Sequence, residues 1–75
     1  MVMAFLTINT LPDKLENTLS EIEDINGVNN AYMVYGTYDL IAQVKSKNVE
    51  DLKNVILKIR KTPNVLTSLT QMVVK

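Results

Sequence analysis

The densest set of residues able to bind a small molecule is the run Tyr35-Gly36-Thr37-Tyr38-Asp39. Gly36 can take positive φ and lets a ligand approach the backbone closely. Amide groups exposed in such a turn can hold a carboxylate. Asp39 can pair with an ammonium through a charge-assisted hydrogen bond. Tyr32, Tyr35 and Tyr38 can wall a cleft, each offering a flat apolar face and a hydroxyl. Near the C-terminus, Thr67, Ser68 and Thr70 can add hydroxyls from a strand. Each group also has a plainer reading. Gly36 then serves hairpin geometry, Asp39 caps a local amide, the tyrosines are strand formers packed at edges, and the hydroxyls belong to a half-exposed strand.

Other chemistry is poorly supplied. The chain has no cysteine, histidine or tryptophan, so a disulfide framework, a thiolate metal site and the commonest general base are all missing. Acid–base work would rest on carboxylates, lysines or tyrosines, and the carboxylates are scattered over helices without an evident pair. No catalytic activity, metal or cofactor is expected. Met1, Met3, Met33 and Met72 read as packing fillers, since none are spaced as ligand pairs. Glu21, Glu23 and Asp24 read as a solvated face, with Lys58, Arg60 or Lys61 of a neighbouring subunit as an alternative partner.

Eight basic and eight acidic residues leave no formal net charge. Direct nucleic-acid binding is not expected, because it draws on a basic excess and, for an RNA-binding sheet, on aromatics of the central strands. Phe5 is the only aromatic on the first or third strand. No apolar run approaches the roughly 18 residues that read as a membrane span. Met1 to Leu6 is apolar but has no basic leader or cleavage-like site. These features favour a soluble cytoplasmic protein.

The elements that must position the turn follow from periodicity. Val2 to Asn9 alternates as a strand, with Ala4, Leu6 and Ile8 on one face and Phe5, Thr7 and Asn9 on the other. Leu11-Pro12-Asp13 marks a helix start, and Leu15, Leu19, Ile22 and Ile25 form its apolar stripe. Gly27 suits the helix end. Val28 to Tyr35 reads as a second strand, Gly36 to Asp39 as a turn, and Leu40 to Lys45 as a third strand. Ser46-Lys47-Asn48 offers caps for a helix carrying Val49, Leu52, Val55, Ile56 and Ile59. Thr62-Pro63-Asn64 stops that helix, and Val65 to Val74 is the last strand.

The order is βαββαβ, and the chain repeats itself. Leu15, Leu19, Ile22 and Val28 align with Leu52, Ile56, Ile59 and Val65 at an offset of 37. A single domain over residues 1–75 follows: an α+β, ferredoxin-like sandwich, with a four-stranded antiparallel sheet and both helices on one face. Strands one and three are expected at the centre, side by side and parallel to each other, with strands two and four as edges. Ala4, Leu6, Ile8, Leu40, Ala42 and Val44 should face the helices. The opposite row holds Phe5, Thr7, Ile41 and Gln43. In the last strand Leu66, Met72 and Val74 share a parity with Ser68 and Thr70, and Leu69 and Val73 have the other. A half-apolar sheet face without helices, in so small a domain, predicts self-association.

The segment Val34-Tyr35-Gly36-Thr37-Tyr38-Asp39-Leu40, followed by an alternating strand and helix, then Thr62-Pro63-Asn64-Val65-Leu66-Thr67-Ser68-Leu69-Thr70, resembles the C-terminal effector-binding domain of the Lrp/AsnC family, also called the regulation-of-amino-acid-metabolism domain. The resemblance covers essentially the whole chain. It implies a sensor linked to transcriptional regulation, in a stand-alone form, because the usual helix-turn-helix domain does not precede the first strand. It implies dimers formed through the sheets and assembled further, often as octamers. An amino-acid effector would sit in clefts between dimers, near Tyr35, Gly36, Thr37, Tyr38 and Asp39, with Thr67, Ser68 and Thr70 from the last strand. The alternative is a purely structural partner that co-assembles with full-length Lrp-type regulators.

Overall fold

A computed structural model describes residues 1–74. The elements run β1 (Val2–Thr10), a 3-10 turn (Pro12–Lys14), α1 (Leu15–Glu23), β2 (Val28–Met33), β3 (Leu40–Ser46), α2 (Val49–Arg60) and β4 (Val65–Met72). The sheet order is β2-β3-β1-β4. Strands one and three are central, as expected, but β1 and β3 run antiparallel to each other, not parallel. A helix that returns the chain to the far side of a neighbour leaves a gap, and the strand filling it comes from the other repeat, running the opposite way. Every neighbouring pair is therefore antiparallel.

Both helices pack on one side of the sheet. Ala4, Leu6, Ile8, Leu40, Ala42 and Val44 meet Ile22, Leu52, Val55, Ile56 and Ile59 in one core. Complete burial of each large aliphatic side chain there contributes roughly 1.5–3 kcal/mol. The α1 stripe includes a residue that hydropathy hides. Thr18 is fully buried, and its hydroxyl donates to the Lys14 carbonyl at 2.8 Å, which removes the cost of an unpaired buried polar group. The first helix also begins later than Pro12 suggests. Proline presets a tight turn with one missing donor, and that turn is 3-10, with regular α-helix starting at Leu15. Asn48 caps α2 through a bond from the Asp51 amide at 2.9 Å.

Two elements are shorter than expected. β2 ends at Met33 instead of Tyr35, and β4 ends at Met72 instead of Val74. Both outer strands carry a bulge near their start, with two residues opposing one on the partner. Thr10 pairs with Val65 and Asn9 with Thr67, so Leu66 is the extra residue. Val28 pairs with Val44 and Asn30 with Gln43, so Asn29 is the extra one; its side chain is used to accept from the Lys45 amide at 2.9 Å. The Leu66 bulge breaks the parity expected for the last strand. Ser68, Thr70 and Met72 lie opposite Ile8, Leu6 and Ala4 and so point to the helix side, while Leu66 itself is 58% exposed.

Candidate functional site

The loop from Val34 to Asp39 joins β2 to β3 and is closed at its base, where the Val34 amide donates to the Asp39 carbonyl at 2.9 Å. Gly36 has φ +137°, and a Cβ at this position would meet no atom within 4 Å. The glycine is thus required by backbone conformation rather than by crowding. Tyr35 is entirely exposed, while Tyr38 and Asp39 are half-buried.

Asp39 anchors the loop to the end of β1. Its amide donates to the Ile8 carbonyl at 3.0 Å, and one carboxylate oxygen accepts from the Thr10 amide at 3.0 Å. Thr10 is the last residue of β1 and is buried; the β1–β3 ladder ends at Ile8 and Leu40, so the carboxylate satisfies an amide that lies beyond the ladder. Sequence reasoning anticipated a local amide for Asp39. The partner lies 29 residues away, and only the sheet order brings it there.

The hydroxyl residues are divided between the two faces. Thr67 faces the side without helices, where its hydroxyl accepts from Asn9 Nδ2 at 3.2 Å. Ser68 and Thr70 face the helix side, half-buried on the edge strand. Thr67 and Ser68 lie beside Asn9 and Ile8 of β1, at the same end of the sheet as Asp39. Thr70 sits further along, opposite Leu6. Within one chain Thr67 and Ser68 therefore share the loop's end of the sheet, Thr70 lies apart, and none of the three lines the two recesses beside the loop.

Two shallow recesses adjoin the loop, and neither was foreseen. One of about 230 Å³ is lined by Leu15, Met33, Val34 and Tyr35. The other, of about 370 Å³, lies between the start of α1 and Met33, with Pro12, Asp13, Glu16 and Asn17 on its rim. Leu15 and Met33 belong to both, so they form one continuous depression along the β2 edge. The tyrosines do not gather around it. Tyr32 pairs with Ile41 on the face without helices, and Tyr35 lines the smaller of these two recesses.

The open face of the sheet is largely apolar at its middle. Tyr32, Ile41, Thr7 and Leu69 make one row across all four strands. Tyr32 is 55% and Leu69 46% exposed. The Thr7 hydroxyl in that row is buried without a hydrogen-bond partner. In the next row Asn30 donates to Gln43 at 2.8 Å, and Gln43 donates to the Met3 sulfur at 3.2 Å. No group of carboxylates able to hold a metal occurs among the described residues, and no helix there is long and apolar enough to cross a membrane.

The chain is a split βαβ sandwich with a glycine loop latched across its sheet end. Residues 3–75 match the family model of the Lrp/AsnC ligand binding domain, and the chain belongs to that family. A hypothetical protein from Pyrococcus horikoshii is 34% identical, with a TM-score of 0.91 over 100% of this chain and 92% of that one. A feast or famine regulatory protein from M. tuberculosis, complexed with L-methionine, shares the fold at 24% identity and a TM-score of 0.81, covering 100% of this chain and 51% of that one. A homocitrate synthase of Saccharolobus islandicus is 37% identical over 51 residues, which is 68% of this chain. The matched stretch spans 11% of that enzyme's length.

Proposed function

We propose that this chain is a sensor and assembly module that binds a free amino acid and serves transcriptional regulation of amino-acid metabolism. The observation that carries this reading is the loop from Val34 to Asp39. Gly36 at φ +137° leaves the backbone of Tyr35, Gly36 and Thr37 open to an α-carboxylate. Asp39 uses one oxygen on Thr10, and its second takes the α-ammonium. The apolar recess beside Tyr35 accommodates a side chain, and Tyr38 borders the ligand. A fold neighbour holding L-methionine supports an amino acid as the effector class.

The module dimerises through the open sheet face, where the row from Tyr32 to Leu69 needs cover. Dimers then assemble further, to an octamer or similar, and the effector occupies clefts between them. In that arrangement Thr67, Ser68 and Thr70 of one copy complete the site begun by the loop of another. This accounts for hydroxyls that do not line the recesses beside the loop within one chain.

The test is thermal-shift screening against the twenty amino acids, followed by light scattering with and without the stabilising one. A ligand at 100 times its Kd raises stability by about 2.7 kcal/mol. Asp39→Asn is the discriminating variant. Its amide oxygen still accepts from Thr10, so the loop stays closed, while the charge that holds an ammonium is gone. Loss of the ligand response with unchanged mass supports the reading, and an unchanged response removes Asp39 from the site.

A second reading is favoured by the latch itself. The amide, the carbonyl and one carboxylate oxygen of Asp39 are all spent on closing the loop. The chain would then be a purely structural partner that co-assembles with full-length Lrp-type regulators. Absence of any amino-acid response, together with co-elution with such a regulator, selects it.

A further inference from the structure

The internal repeat is structural in detail. At an offset of 37 residues, Ile22 and Ile59 are both fully buried. The Ile25 amide donates to the Ile22 carbonyl at 3.1 Å, and the Thr62 amide to the Ile59 carbonyl at 3.1 Å. Val28 closes a turn on Ile25 at 3.1 Å, and Val65 closes one on Thr62 at 3.3 Å. The third residue of each turn has positive φ, +103° at Gly27 and +73° at Asn64. Even the bulges, at Asn29 and Leu66, correspond.

The charges laid over this common frame change sign. Glu16 corresponds to Lys53, Glu21 to Lys58, Glu23 to Arg60 and Asp24 to Lys61; Lys14 corresponds to Asp51 in the reverse sense. All ten of these residues are exposed. Residues 12–24 hold five carboxylates and one lysine, whereas residues 49–61 hold four basic and two acidic residues. Only Asp13 and Glu50 keep their sign, in the first turn of each helical unit, where the dipole favours an acid. The basic last turn of α2 also suits the dipole. The acidic last turn of α1 opposes it, so helix stability does not account for that end.

The two helices feed opposite ends of the sheet. The last turn of α1 feeds Val28, beside Val44 at the level of Ala4, while the last turn of α2 feeds Val65 beside Thr10. Lys58 lies near the acidic end, lining a recess with Asn26 and Gly27 just past α1. Arg60 and Lys61 lie further along α2, toward the Thr10 level.

We propose that the acidic last turn of α1 in one copy, Glu21, Glu23 and Asp24, docks on the basic last turn of α2 in another copy, Lys58, Arg60 and Lys61. The occupant is a second copy of this chain because the two surfaces are the same backbone with inverted charge, one of each per molecule. Such a contact is heterologous, leaving a free acidic end and a free basic end, and it propagates until it closes. It lies on the helix side of the molecule. It therefore goes beyond the sheet-face dimer proposed above and does not depend on it.

Charge reversal tests this. One variant combines Glu21→Lys, Glu23→Lys and Asp24→Lys; the other combines Lys58→Glu, Arg60→Glu and Lys61→Glu. All six positions are exposed, and circular dichroism verifies that each variant folds. By light scattering, the wild type should be larger at low salt than at high salt, and each variant alone should stay at the smaller mass. An equimolar mixture of the two variants should regain the wild-type mass at low salt and lose it at high salt. A wild-type mass indifferent to salt, variants that keep it, or a mixture that does not co-assemble would each overturn the proposal. If the sheet dimer is the part that is wrong, the mixture still recovers, with monomer instead of dimer as the smaller species.

Discussion

The two faces of the sheet are built by the same four strands, with neighbouring residues pointing to opposite sides. On the helix side, Ala4, Leu6, Ile8, Leu40, Ala42 and Val44 are at most 1% exposed and belong to one apolar core cluster with the helices. On the open side, Phe5, Thr7, Ile41 and Gln43 are half-buried although no helix covers them. Their cover comes from one another, and it leaves a threonine hydroxyl without a partner. The first face is finished within the chain. The second is half-apolar and leaves a buried hydroxyl unpaired, and the proposed assembly rests on that difference.

Substitutions on the two faces should therefore fail in different ways. Leu6→Ala on the finished face should cost about 2–5 kcal/mol, from lost transfer energy and the cavity left behind. Urea unfolding should show this at any protein concentration. Leu69→Lys on the open face should instead weaken self-association by at least about 2 kcal/mol, the cost of desolvating an unpaired charge at an interface. Its signature is a lower mass by light scattering and a melting temperature that no longer rises with concentration; a drop in melting temperature at every concentration would mean that Leu69 supports the monomer instead. Thr7→Val has the smallest expected effect and the opposite sign. Removing the stranded hydroxyl should stabilise the protein by about 1 kcal/mol, and a loss of stability would show that the hydroxyl is hydrated or paired in solution.

The repeat halves offer a second contrast, between what a pattern reveals and what it conceals. The apolar stripes of α1 and α2 and the row from Ala4 to Ile8 were readable because burial follows the helix and strand periods. Thr18 was not readable as core, since its fitness for the interior depends on the Lys14 carbonyl one turn away. Val34 and Tyr35 look like strand, being good strand formers, yet they lie in the loop: Val34 still donates to Asp39 in register, but the Asp39 amide is given to the Ile8 carbonyl instead of back to β2. The relative direction of β1 and β3 is hidden from local pattern for a similar reason. Two adjacent repeats suggest parallel neighbours, and the interleaving that makes them antiparallel is a property of how the units pack.

The candidate loop was legible as a group from its glycine, its aspartate and its tyrosines, and positive φ at Gly36 and Gly27 agrees with their residue type. The two glycines are held for different reasons, which only coordinates distinguish. A Cβ on Gly27 would come within 2.5 Å of Val55, while one on Gly36 meets nothing. The division of Thr67 from Ser68 and Thr70 was equally hidden, because it follows from alternation along β4 combined with register to β1.

By itself the sequence determined the element order, the buried rows, the repeat, the balanced charge and the composition of the loop, all of which follow from local period and residue chemistry. The tertiary structure alone decided strand direction, the Thr10 partner of Asp39, the faces occupied by the three hydroxyls and the opposite sheet ends that the two helices feed. Those depend on contacts between residues far apart in the chain, where long-range packing rather than local preference sets the geometry.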